Sequence, residues 1–197
     1  MVASPVNFSG GTDRCNFAYW GPWGHVVRGW ARAKMGVGVS ATVETASGLH
    51  AYRTTGSHLM GPYFLGLQAD VLLQAGEVQD GLKLVDEALD ASQTGHIHFC
   101  APELNCIKAK LLTAANVPVG KRIISLKQAL ATAREQNSRA LEVKALDMLC
   151  REATDSQERH GLKERLNQLL LEMGEDQTIE TVHGTQLISV GPPESAK

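Results

Sequence analysis

Phe64-Leu65-Gly66-Leu67-Gln68-Ala69-Asp70-Val71-Leu72-Leu73-Gln74-Ala75-Gly76 is the stretch that decides how this chain folds. Phe64, Leu67, Val71, Leu72 and Ala75 follow the i, i+3, i+4, i+7 spacing that gathers apolar side chains on one side of a helix. Gly76 then offers the left-handed backbone that closes a helix at its C-terminus. Gly36 holds the same place 40 residues earlier, and Asn116, which also tolerates that backbone, holds it 40 residues later. The helical stretches that follow share a small-plus-Leu signature: Gly48-Leu49, Ala88-Leu89 and Ala129-Leu130, spaced by 40 and then 41. Their ends agree as well, with Tyr52-Arg53-Thr54-Thr55-Gly56 resembling Ser92-Gln93-Thr94-Gly95. A helix-pair unit thus recurs every 40 or 41 residues between about Gly29 and Met173. Such a period points to a protein that binds along an extended surface rather than one that does chemistry in a pocket.

Working outward, the same helical stripe continues through Leu82, Val85, Ala88 and Leu89, then Leu104, Ile107, Leu111 and Leu112, then Ile123, Leu126, Ala129, Leu130 and Ala133. Leu141, Ala145, Met148 and Leu149 open a last pair, which Leu162, Leu166, Leu169, Leu170 and Met173 complete. No stretch of similar length alternates like a strand. Small residues at Gly29, Ala69, Ala88, Ala109 and Ala129 let paired helices approach closely. The expected fold is all-α, a tetratricopeptide-like α-α superhelix of about four helix pairs, right-handed, with helices longer than the usual unit of about 34 residues allows. Residues 1–15 are expected to be a flexible N-terminal segment, 16–173 the repeat domain and 174–197 a flexible tail, with a short hairpin around Ile179 to Val190 as the alternative for the tail.

Composition narrows the function. Of the 197 residues, 43% are hydrophobic and 20% charged, which suits a folded chain. A net charge of −2, with basic residues scattered, argues against a nucleic-acid surface. No run approaches a membrane span, and four cysteines make no disulfide framework, so a cytoplasmic protein with reduced thiols is expected.

Specific wording then appears inside the repeats. Arg28-Gly29-Trp30-Ala31-Arg32-Ala33, Gly48-Leu49-His50-Ala51-Tyr52-Arg53-Thr54-Thr55-Gly56 and Gly61-Pro62-Tyr63-Phe64-Leu65-Gly66-Leu67 resemble a region near the C-terminus of large bacterial signalling proteins. Those carry a class III adenylate or guanylate cyclase domain, a P-loop ATPase and a tetratricopeptide-type array similar to that of maltose-regulon-type activators. Asp86-Glu87-Ala88-Leu89, Gln128-Ala129-Leu130-Ala131-Thr132-Ala133-Arg134 and Ser138-Arg139-Ala140-Leu141-Glu142 extend the resemblance, which spans about Phe17 to Leu149. The aromatic, Gly-rich ending of such arrays is not recognisable after Cys150. The resemblance implies a C-terminal fragment or standalone array without cyclase or ATPase residues. Its role would be regulation or binding of a protein or peptide partner, including the upstream cyclase and ATPase domains of a full-length relative.

The residues of types that do chemistry point the same way. Val117-Pro118-Val119-Gly120-Lys121-Arg122 lacks the first glycine and the hydroxyl of a phosphate loop, and reads as a link between helices. His96, His98 and Cys100 offer three soft ligands, but zinc sites draw on two separated pairs and no second pair stands out. Cys106 and Cys150 read as small core residues. No catalytic residue, metal or cofactor is therefore expected. Trp20, Trp23 and Trp30 lie within eleven residues, either packing the first helix on the next pair or forming a partner patch. If the first helix of each pair lines the concave face, the partner groove comprises Trp23, Trp30, Tyr63, Asp70, Gln74, Glu103 and Lys110. Two alternatives remain: a small-molecule sensor of a transcription regulator, with a pocket at Trp23, Trp30 and Tyr63, and a metal-dependent enzyme at His96 and His98.

Overall fold

A computed structural model describes residues 19–174. Among these residues eight helices follow one another: α1 (Trp20–Lys34), α2 (Gly38–Thr54), α3 (Gly61–Ala75), α4 (Val78–Thr94), α5 (Ala101–Ala114), α6 (Val119–Glu135), α7 (Arg139–Glu152) and α8 (Ser156–Glu172). No strand occurs among the described residues. The fold is an all-α array of four helix pairs, as the periodicity predicts. The expected end segments and the Ile179–Val190 hairpin lie outside the described residues.

Local backbone chemistry explains the punctuation. Gly36, Gly76 and Asn116 all adopt positive φ, at +81°, +81° and +54°. After each, the next amide closes a six-residue loop onto the helix: Val37 N donates to Arg32 O at 3.0 Å, Glu77 N to Leu72 O at 2.9 Å and Val117 N to Leu112 O at 2.9 Å. The second helices also end on positive φ, at Gly56 (+73°), His96 (+52°) and Asn137 (+53°); Ile97 N to Ser92 O at 2.8 Å and Ser138 N to Ala133 O at 2.9 Å close the same loop, whereas Ser57 N donates to Thr55 Oγ1 at 3.2 Å. Here the sequence register shifts by one. Gly95, matched by wording to Gly56, keeps a right-handed φ of −83°, and His96 takes the left-handed place. Helix starts repeat too, since Pro22, Pro62 and Pro102 stand 40 apart near the beginnings of α1, α3 and α5 and are all buried. Proline fits there because the first helical amides need no partner.

Packing follows from small residues at the crossings. A Cβ on Gly29 would stand 2.8 Å from Thr45 N and 3.1 Å from Ala41 O, so α1 and α2 touch backbone to backbone. One apolar cluster runs from Val26 and Tyr52 through Phe64, Val85 and Leu104 to Leu111, and a second from Cys106 through Leu126, Ala129 and Leu146 to Leu169. Helix α5 contributes to both, which joins the four pairs. First helices also pack on one another, α1 on α3, α3 on α5 and α5 on α7, whereas second helices make no comparable contact. Closer spacing of one row curves the array, placing α1, α3, α5 and α7 on the inner side.

Candidate functional site

Apart from Thr113 near the end of α5 and Lys108, the polar side chains of α3 and α5 that escape full cover fall on one stripe of the inner row. Tyr63 and Gln74 mark it on α3, and Glu103 and Lys110 on α5; Lys108 instead turns back to Asp86 of α4, 2.7 Å away. The spacing 63, 70, 74 keeps one side of the helix, and 103, 110 repeats it 40 residues on.

Along this stripe the charges alternate and bridge neighbouring pairs. Trp30 Nε1 donates to Asp70 Oδ2 at 2.8 Å, and Lys34 Nζ lies 2.6 Å from the same oxygen. Lys34 also sits over the Trp30 ring, 5.7 Å from its centroid. One pair further on, Lys144 Nζ donates to Glu103 Oε1 at 2.7 Å. Burial pushes the Asp70 carboxyl up, but Lys34, Trp30 and Lys110 together outweigh it and hold the group below its usual value. Lys144 is opposed by burial and held above the usual lysine range by Glu103. Lys110 moves the other way: burial lowers it, Lys144 and Lys34 add to that, and Asp70 counteracts only in part. Tyr63 is raised by burial first and then by the Glu103 charge.

Trp30, Tyr63, Asp70, Glu103 and Lys110 thus share one stripe, with three qualifications about the sequence-derived set. Asp70 is only 5% exposed, so it lies beneath the stripe rather than open to the groove. Its Oδ1 is buried without a hydrogen-bond partner, because the Trp30 donor and the Lys34 ion pair both fall on Oδ2. Gln74 is exposed eleven residues beyond Tyr63, about 16 Å along the helix, where it lines a cleft of about 110 Å³ with Ala33, Thr42 and Val71. Trp23 is drawn sideways into the core, its ring edge-on to Phe64 at 5.1 Å. Trp20 and Tyr19 continue this aromatic chain, and Tyr52 meets Phe64 at 4.9 Å, so the tryptophans fasten the first pair to the second. Neither this cleft nor a larger cavity at α6–α8 is lined by Trp23, Trp30 or Tyr63.

Sequence reasoning missed Lys34 and Lys144. The signal was present: Lys34 stands one turn after Trp30, and Lys144 lies 41 residues after Glu103.

The other chemical candidates lie elsewhere on the array. His96 and His98 stand with ring centroids 6.1 Å apart, and among the described residues no group of three or more His, Cys, Asp or Glu is placed to hold a metal. Cys100, Cys106 and Cys150 are buried and unpaired. Burial pushes the Cys100 and Cys106 thiols up to about 11, far from a reactive thiolate. Val119-Gly120-Lys121-Arg122 is the first turn of α6, and Arg122 pairs with Glu152 at 3.2 Å. No helix among the described residues is long and apolar enough to cross a membrane. No family model, curated protein or solved structure matches the chain.

Proposed function

We propose that this chain is a non-catalytic helical-repeat module that binds a protein or peptide segment along the inner row of first helices. The array that its wording resembles, beside bacterial cyclase and ATPase domains, would use such a surface to regulate its neighbours. One observation carries the reading: a stripe of alternating charge from Lys34 through Asp70 and Lys110 to Glu103 and Lys144, with aromatic Trp30 and Tyr63 beside it. Mixed charge with aromatic anchors suits a peptide ligand.

Peptide-display selection against the full chain tests this. Selected peptides are expected to lose affinity about tenfold on Lys110→Glu or Lys144→Glu, with helical content retained by circular dichroism, and to be indifferent to Lys83→Glu on the outer helix α4. Equal binding to all variants would remove the inner row as the site. Cyclic nucleotide production or ATP hydrolysis by the purified chain would overturn the non-catalytic reading.

A further inference from the structure

We propose that a second site, at the junction of α6, α7 and α8, binds a phosphate-class oxyanion through Arg134, Arg139 and Arg165. The three guanidiniums come from three helices and line one cavity of about 400 Å³, floored by Leu169, which is 1% exposed. That volume lies in the range of ligand sites. The turn at Asn137, with φ +53°, brings the last turn of α6 and the first of α7 to the same mouth. Glu142 and Lys144 are two residues apart, about 200° around α7, so this cavity faces away from the inner stripe.

The cavity's own contacts leave donors to spare. Glu142, 6% exposed, accepts from Arg134 Nε at 2.8 Å through Oε1, and the same oxygen is 3.5 Å from Arg165 Nε. Arg139 Nη1 donates to the Glu172 carbonyl at 3.3 Å, and Arg165 Nη1 stands 3.8 Å from Glu172 Oε1. A guanidinium has five N–H donors; these contacts engage one or two on each. Three guanidiniums against two carboxylates leave one positive charge. A planar carboxylate is satisfied by one Arg fork, whereas forks from three directions suit a tetrahedral group with three terminal oxygens.

The phosphate belongs either to a free small molecule or to a phosphorylated residue of a protein partner. Calorimetry on the full chain with inorganic phosphate, O-phosphoserine, a phosphoserine peptide and its unphosphorylated twin, at chloride-matched ionic strength, separates them. Phosphate probes are expected to bind and the twin not to. Arg139→Gln, whose side chain is exposed and touches only a carbonyl, is expected to weaken binding about tenfold. Glu142→Gln, which frees Arg134 and Arg165 from their competitor, is expected to tighten it several-fold. The peptide outbinding O-phosphoserine assigns a protein source; equal binding assigns a free one. Heat indistinguishable from the chloride control, unchanged affinity in Arg139→Gln, or weaker binding in Glu142→Gln would overturn the site.

Discussion

His96 shows at the scale of one residue what the repeat demands. The end of α4 needs a left-handed residue, and the chain puts there an exposed histidine where the equivalent position at the end of α2 has Gly56. Left-handed backbone costs a non-glycine residue about 1–2 kcal/mol, and glycine returns part of that as unfolded-state entropy. His96→Gly is therefore expected to stabilise the chain by up to about 1 kcal/mol. Gly76→Ala, where an added Cβ meets open space but the backbone stays at +81°, is expected to destabilise it by about 1 kcal/mol. Urea unfolding midpoints read both; a lower midpoint for His96→Gly would show that the imidazole makes a contact that outweighs its strain.

Between elements, the α1–α2 crossing is the tightest test of packing. Gly29 faces the backbone of Thr45 and Ala41, and backbone cannot rotate out of the way as a side chain can. Gly29→Ala is expected to destabilise by about 1–3 kcal/mol, read by thermal unfolding. Ala88 and Ala129, the later counterparts of Gly48, are fully buried without being glycine. Gly48 itself would bring a Cβ to 2.7 Å from Val26 N, so the first pair is packed more closely than the others. A Gly29→Ala variant as stable as the parent would mean that α1 can shift along α2.

For the whole array, coupling between pairs rests on more than apolar contact. Asp70 on α3 ties Trp30 and Lys34 of α1 to the second pair, and it is buried while doing so. Its carboxyl lies below the ordinary 3.8, so the stabilisation is fully present above that pH and fades as pH falls through the lower folded value. Asp70→Asn is expected to cost about 3 kcal/mol at neutral pH, because it leaves the Lys34 ammonium without its carboxylate. That difference should vanish in strong acid. Unfolding curves from pH 7 to pH 2 check this, and a difference that persisted undiminished at low pH would rule out the charge as its source.

The helices, their pairing and their ends were legible in the sequence because each depends on near neighbours. Apolar spacing fixes a helix face, and Gly36, Gly76 and Asn116 mark left-handed turns whichever helix lies opposite. Even the stripe along the inner row was partly legible, since Trp30, Asp70 and Lys110 stand 40 apart. Periodicity, however, says which side of a helix a residue occupies and not what covers that side. Only tertiary packing sank Asp70 beneath Lys34, drew Trp23 onto Phe64 and gathered Arg134, Arg139 and Arg165 into one cavity. Those outcomes depend on where separate helices meet, and no local pattern encodes the distance between side chains that come together only when the pairs stack.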